Sequence, residues 1–276
     1  LEDASSVLID CGEGTQVAIA EYGWKMNDIS VVCITHLHAD HVAGLSGLLS
    51  SMQNQGRTKK LIIIGPTGLK NLVKASFVIS GHIKFYVQII EVDRLERDFL
   101  FFPFKIEMLR VDHSCVCYAY KVTAMQRRKC LPELAQSNGV PIEVWSNLLE
   151  SDSVLYKKVV YSADQIAEPR KAGITISYCT DTRPTDLLPD FIKGSKLLIA
   201  EGMYYEEQKS NALRYKHMTY KEAAAIARDS GVPSLWLTHF SPTISKPKDY
   251  LSEALSIFKQ TQVGVDGKYE VFTYDD

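Results

Sequence analysis

No run of this 276-residue chain approaches the roughly 18 consecutive apolar residues that a membrane-spanning helix needs, so no membrane partner is expected. An excess of one charge sign is also missing: 31 Lys and Arg against 33 Asp and Glu leave a formal net charge of −2. Such a chain exerts no global pull on nucleic acid, and any polyanion has to be held by local basic patches. Cysteines are few, and Cys11, Cys33, Cys115, Cys117, Cys130 and Cys179 fall mostly in apolar, strand-like runs. That excludes a dense disulfide framework and points to reduced thiols and a cytoplasmic setting. Cys115-Val116-Cys117 has no second pair to complete a cysteine-only metal site. The nucleophile elbow Gly-x-Ser-x-Gly is absent, and the loop Gly65-Pro66-Thr67-Gly68 lacks the Gly-Lys-Ser/Thr ending of a phosphate-binding P-loop. Internal repeats and low-complexity segments are lacking too. The first residues are Leu1-Glu2-Asp3 without an initiator Met, so the true start is expected upstream and the lack of a signal peptide excludes little.

What the chain does have is histidine, concentrated in one place. Thr35-His36-Leu37-His38-Ala39-Asp40-His41 follows the β-branched run Val31-Val32-Cys33-Ile34 and precedes a Leu-patterned helix expected to about Gln53, which puts the cluster at a strand-to-helix turn. Three imidazoles and a carboxylate within six residues each need a partner if buried, and divalent metal satisfies them together. Imidazole and carboxylate with no thiolate in the cluster suit zinc, with manganese or iron as alternatives, and one turn can serve two adjacent ions.

With 46% hydrophobic residues the chain can bury a large core, and a single α/β domain over 1–276 is expected. Asp10 ends a short strand before Cys11-Gly12-Glu13-Gly14-Thr15 and a helix, close enough to His36 along the strand edge to orient a histidine. The aromatic and β-branched stretch from Phe99 to Arg110 runs into His113, Ile174 to Cys179 runs into Asp181, Lys196 to Ala200 into Glu201, and Leu235 to Thr238 into His239. Metal-competent residues therefore collect at one edge of the sheets, and only His82 stands outside the pattern, as a surface or loop histidine. His217 precedes Thr219, a natural N-cap with Glu222 completing a capping box for an alanine-rich helix. An amphipathic helix near Tyr250 to Phe258 and a strand from Tyr269 to Thr273 are expected to close the chain. From about 123 to 172 the composition changes to an insertion with Arg127-Arg128-Lys129, two short helical patterns and Lys157-Lys158. An excursion of that length suggests function, and a basic arm would supply the phosphate contacts that net charge does not.

The run His36-x-His38-x-Asp40-His41 resembles the signature of the metallo-β-lactamase superfamily, whose fold is an α/β αββα sandwich of two mixed sheets flanked by helices. Asp10-Cys11-Gly12-Glu13-Gly14-Thr15, Thr180-Asp181-Thr182-Arg183-Pro184, His217-Met218-Thr219 and Thr238-His239-Phe240-Ser241 together are similar to the ribonuclease Z family of tRNA 3′-processing endonucleases. The resemblance covers the chain from about Ser6 to at least His239. It implies two zinc ions, one held by His36, His38 and His113, the other by Asp40, His41 and His239, with Asp181 bridging them. Asp40 would orient or deprotonate the attacking water, and His217 held by Glu201 would protonate the leaving oxygen. The insertion takes the place of the family's exosite arm, so Arg127, Arg128 and Lys129, together with Arg183 and Thr219, are the expected substrate contacts. Precursor tRNA and a homodimeric partner are likewise implied. The family's His-Glu-Ala-Thr reads Ala200-Glu201-Gly202-Met203 here, without its histidine. Two other readings stand beside this one: a small-substrate phosphodiesterase or other hydrolase on the same dinuclear site, and a non-catalytic, metal-containing RNA-binding protein.

Overall fold

The structure is a computed structural model that describes residues 5–81 and 83–274; His82 lies outside the described residues. Strands β1 (Ser6–Ile9), β2 (Ile29–Cys33), β3 (Leu61–Pro66) and β4 (Val87–Val92) form a four-stranded sheet in the order β1-β2-β3-β4, parallel throughout. A second sheet is built from β5 (Glu96–Phe101), β6 (Phe104–Val111) and β7 (Cys117–Ala124) and then, after a separate hairpin of β8 (Ser153–Tyr156) and β9 (Val159–Ser162), from β10 (Ile174–Cys179), β11 (Leu197–Glu201), β12 (Leu235–Thr238) and β13 (Thr261–Val263). Its order is β13-β12-β11-β10-β7-β6-β5, and it is mixed.

Period-two patterning assigns each strand two apolar faces. Val31 and Cys33 of β2, Ile62 and Ile64 of β3, Phe104, Ile106 and Met108 of β6, and Tyr118 and Tyr120 of β7 share one core between the sheets. Their sequence neighbours Val32, Leu61 and Ile63 instead pack on the helices Thr15–Glu21, Leu45–Asn54 and Leu69–Ser80. Leu109, Cys117, Ala119, Leu198 and Ala200 pack on the helices Leu188–Ile192, Tyr220–Ser230 and Leu251–Leu255. Helix, sheet, sheet and helix layers follow from that alternation.

Residues between β7 and β10 form the arm. The two strands pair antiparallel up to Ala124 opposite Ile174, so the insertion leaves and returns side by side. Its own core joins Ala135, Val140, Val144, Leu148, Ile166 and Ala167 from the helices Pro132–Ser137 and Trp145–Glu150, the link between them and the return segment. The arm springs from the end of β7 remote from His113, roughly 23 Å along an eight-residue strand at about 3.3 Å per residue.

The segment from Tyr269 to Thr273 is not a strand. A turn closed by Lys268 N to Val265 O carries the chain off the sheet after β13, and Tyr269 and Val271 are exposed. Alternating β-formers there match strand chemistry without a partner to pair with.

Two glycines let the loop after β1 lie against the histidine turn. Cys11 N donates to His41 O at 2.8 Å and Gly44 N to Cys11 O at 2.9 Å. A Cβ on Gly12 would meet Asp40 O at 2.2 Å, and one on Gly44 would meet Gly12 O at 2.0 Å. Backbone against backbone cannot yield as a flexible side chain can. Gly12→Ala and Gly44→Ala are each expected to lower stability by about 1–3 kcal/mol, read as a shift in urea midpoint. A wild-type midpoint in either variant would contradict the close-packing account.

Candidate functional site

Strand ends from both sheets meet at one edge of the sandwich. Asp10 follows β1, His36 lies three residues past β2, His113 two past β6, Asp181 two past β10, Glu201 closes β11 and His239 follows β12. Asp10, Asp181 and His239 have φ of 60°, 57° and 52°. Such left-handed backbone costs a non-glycine residue about 1–3 kcal/mol and persists only where the surroundings impose it.

Asp181 stands between two groups of imidazoles. Its Oδ1 lies 4.0 Å from His36 Nε2 and 3.9 Å from His113 Nε2, while its Oδ2 lies 3.4 Å from His41 Nε2 and 3.5 Å from His239 Nε2. His38 Nδ1 approaches His36 Nε2 to 2.8 Å. Asp40 Oδ2 is 3.4 Å from His41 Nε2 and 3.8 Å from His239 Nε2, with most of its side chain exposed at the mouth.

These groups fit a divalent metal. His113 Nδ1 donates to the Lys216 carbonyl at 3.2 Å, so the neutral ring turns a lone pair inward at Nε2. That nitrogen and Asp181 Oδ2 are buried without a hydrogen-bond partner. Leaving a buried acceptor unmet costs about 1–3 kcal/mol, which a cation would relieve. Burial pushes the His36 pKa down to about 3 and lowers that of His113, keeping both in the neutral, ligating form. Donor atoms of His36, His41 and Asp181, and of Asp40, His41 and His239, lie within 4.8 Å of one another in each set. Asp10 orients the turn: its carboxylate accepts from His41 Nδ1 at 2.7 Å and from the Thr35 amide at 2.8 Å.

Beside these groups lies a second acid–base pair. Glu201 is fully buried, accepts from Thr182 N at 2.8 Å and meets His217 Nδ1 at 2.9 Å. Burial raises the Glu201 pKa, and the bond to His217 offsets only part of that. For His217 burial opposes protonation, but Glu201 and Asp181 outweigh it and raise the pKa. His217 lines a cavity of about 430 Å³ together with His38, Asp40, His113, Asp181 and His239. Ala200, on the opposite face of β11, is packed in the apolar core, so a larger side chain at that position would point away from the cavity.

The expected substrate contacts are placed unequally. Arg183 binds both oxygens of Glu222 and the carbonyl of His217, and Thr219 is fully buried, capping the helix through Glu222 N. Both hold His217 from behind rather than facing the cavity. Arg128 is spent inside the arm on the carbonyls of Leu148 and Ser151 and on Asp152. Arg127 and Lys129 are exposed and paired with Glu150 and Glu168. Lys157 and Lys158 form the tip of the β8–β9 hairpin, both exposed with φ of 46° and 69°. Cys115, which spacing did not single out, lies beside the site: its sulfur is within 4.8 Å of ring nitrogens of His36, His38 and His113. The signal was the loop between β6 and β7, which carries Cys115 wherever it carries His113.

Comparison with known proteins places this geometry. A family model described as Anti-Pycsar protein Apyc1 matches residues 1–182. A ribonuclease Z of Lachnoclostridium phytofermentans is 42% identical over 274 residues, covering 99% of this chain and 90% of that one. One from Clostridium acetobutylicum is 43% identical over 277 residues, covering 98% and 90%. Among solved structures, the fold is shared with human tRNase Z, short form, at a TM-score of 0.65 and 21% identity over 96% of this chain and 88% of that one. It is shared equally with the metallo-β-lactamase fold protein YhfI from Bacillus subtilis, at a TM-score of 0.67 and 21% identity over 96% and 86%. Among the described residues no helix is long and apolar enough to cross a membrane.

The brace behind His217 has a pH signature. Burial pushes the Glu222 carboxyl up, but Arg183 and the Thr219 amide outweigh it and lower its pKa below 4.5. A depressed carboxyl contributes stability that is present above its ordinary value and lost as pH falls through the folded-state value. Glu222→Ala is therefore expected to cost about 3–5 kcal/mol at neutral pH, with the gap to wild type closing in acid. Urea denaturation at neutral pH and well below 4.5 reads both; a gap independent of pH would refute the brace.

Proposed function

The chain belongs to the ribonuclease Z family, with residues 1–182 also falling in the family described as Anti-Pycsar protein Apyc1, and from that premise we propose that it removes the 3′ trailer of precursor tRNA by metal-dependent phosphodiester hydrolysis. The observation that carries this reading is the His217–Glu201 pair set beside Asp181 and its imidazoles.

His36, His38, His113 and Asp181 would hold one zinc ion, and Asp40, His41, His239 and Asp181 a second; manganese or iron suits the same nitrogen and oxygen donors. Bound there, the ions supply the Lewis acidity that makes water nucleophilic near neutral pH and offsets phosphodiester charge. Asp40 at the mouth orients the attacking water and accepts its proton. Glu201 fixes His217 Nδ1, so the opposite ring nitrogen protonates the departing 3′-oxygen of the tRNA. The products are a tRNA ending in a 3′-hydroxyl and a trailer with a 5′-phosphate. Glu201 completes this relay without a histidine at position 200.

The arm would grip structured RNA away from the cut, reading its shape more than its sequence. Arg127, Lys129, Lys157 and Lys158 are the exposed cations for phosphate contact, while Arg128 keeps the arm folded. A homodimer is the assembly that the family implies, and exposed Val78 and Ile79 offer apolar surface for it. Six free cysteines suit the cytoplasm.

Incubation with a trailer-bearing precursor tRNA, with and without chelator, is the direct test. A single cut after the discriminator nucleotide, abolished by chelator, is expected. Turnover of a small chromogenic phosphodiester with the precursor left whole would favour the small-substrate reading, and binding without any cleavage the non-catalytic one. His217→Ala should lower the cleavage rate by about 10²–10⁴-fold, and wild-type turnover would remove the donor role. Neutralising Arg127, Lys129, Lys157 and Lys158 together should weaken precursor binding and flatten its salt dependence, leaving the small phosphodiester unaffected. An unchanged salt slope would count against the arm.

A further inference from the structure

Hydrolysis with His217 as the acid fixes which wall of the cavity each half of the substrate meets. Attack on phosphorus runs in line, opposite the departing oxygen, and the oxygen that His217 protonates is the 3′-oxygen of the last nucleotide kept on the tRNA. That nucleotide therefore lies against the wall around His217. Three side chains of this wall take no part in the chemistry: Tyr204, Arg214 and Tyr215 line the cavity beside the acid.

Each of the three is held in place. The Tyr204 ring stands at 71° to the His217 imidazole, with centroids 6.2 Å apart. Its backbone is pinned to the same turn, with Tyr204 N donating to Met218 O at 3.3 Å and Tyr220 N to Tyr204 O at 2.9 Å. Arg214 and Tyr215 end the helix Lys209–Tyr215, three and two residues before His217. Lys216 caps that helix with left-handed backbone, φ 60°, and its ammonium meets Asp112 Oδ1 at 2.6 Å, which ties the turn to the His113 loop. The Arg214 guanidinium lies over the Tyr215 ring, 5.3 Å from its centroid, and both residues are exposed. Arg183, Arg128 and Arg170 are spent on internal partners. Arg214 is the one arginine or lysine among the described residues that line the cavity.

We propose that Tyr204 is the stacking floor for the unpaired nucleobase of the nucleotide that keeps the 3′-hydroxyl, and that Arg214, propped on Tyr215, grips the phosphate on the 5′ side of that nucleotide. This rests on the precursor tRNA reading. A single-stranded base has an open π-face and stacks on an aromatic ring with little regard to its identity. A base still paired in the acceptor helix is held away from the ring by its partner. The cut therefore falls one nucleotide past the helix, after the first base free to reach Tyr204. A guanidinium over an aromatic ring keeps its outer donors for two phosphate oxygens, which a lysine at the same place would meet only as a point charge. Because one short turn carries both the phosphate grip and the acid, seating the phosphate on Arg214 delivers the 3′-oxygen to His217.

The test pairs changes in the protein with changes in the substrate. The full chain is given an ordinary precursor tRNA and one whose discriminator keeps its ribose but lacks its base, and kcat/KM is measured for each. Removing the base should cost wild type about 5- to 150-fold. Tyr204→Leu should lose a similar factor on the ordinary precursor and little more on the baseless one, and Tyr204→Phe, which keeps the ring, should restore the discrimination. Arg214→Gln should behave in the same way toward a precursor carrying a neutral methylphosphonate at the phosphate 5′ of the discriminator. Wild type cutting the baseless precursor at the ordinary rate, or losses that simply multiply in either pairing, would overturn the assignment while leaving the RNA reading intact. Should Tyr204→Leu fail to fold, the wild-type comparison and the exposed Arg214 pairing still decide it. No cut in any precursor by wild type would overturn both.

Discussion

Asp181, a carboxylate buried to 2% exposure, is crowded by imidazoles from two sides, and they hold its pKa below the ordinary carboxylate value. Burial alone would raise the pKa of Asp181; His239, His41, His36 and His217 reverse that and lower it. The rest of the architecture serves this juxtaposition. The imidazoles come from the ends of β2, β6 and β12 and from the helix-start turn after Lys216, which are far apart in sequence and adjacent only because both sheets present the same edge. The left-handed backbone at Asp10, Asp181 and His239 bends each chain at that edge, and the glycine contacts of Gly12 and Gly44 let one turn lie against another. Strain and close packing collect where charge has to be concentrated.

Three of the inward-facing imidazoles are held by partners that do not themselves face the cavity. Asp10 and Thr35 hold His41, the Lys216 carbonyl holds His113, Glu201 holds His217, and Arg183 with Glu222 holds the carbonyl of His217. These partners decide which nitrogen of His41, His113 and His217 carries the proton, so each of those rings presents a directed nitrogen to the cavity. The capping box at Thr219 belongs to this layer, so a motif that reads as helix punctuation also positions the acid.

The histidine turn was legible in the chain because strand, turn and helix chemistry are local, and so was the α/β layering, because period-two alternation is local as well. Pairing across sequence was not. Nothing near Arg183 announces that Glu222, 39 residues on, will take both its nitrogens, and nothing near Arg128 announces that the arm's own carbonyls will take its donors. A basic residue looks alike in sequence whether it braces a loop or awaits a phosphate. Cys115 was hidden for a different reason: thiol spacing was weighed against other thiols, whereas its neighbours in space are imidazoles from β2 and β6. The alternation from Tyr269 to Thr273 misled because strand propensity records the side chains and not whether an edge is there to receive them.

The separation of site and arm limits what this molecule can act on. The metal-competent edge lies at one end of β7 and the arm's root at the other, so a substrate that uses both has to bridge most of a sheet. A flexible small phosphodiester reaches only the cavity, and for it the arm would be an expense in ordering entropy without return. A folded RNA helix is stiff over that span and carries phosphate along its whole length, so one contact can set the register for chemistry at the other end. The arm's private core and internal arginine staples fit that demand, since a grip that sets register has to be rigid before the substrate arrives.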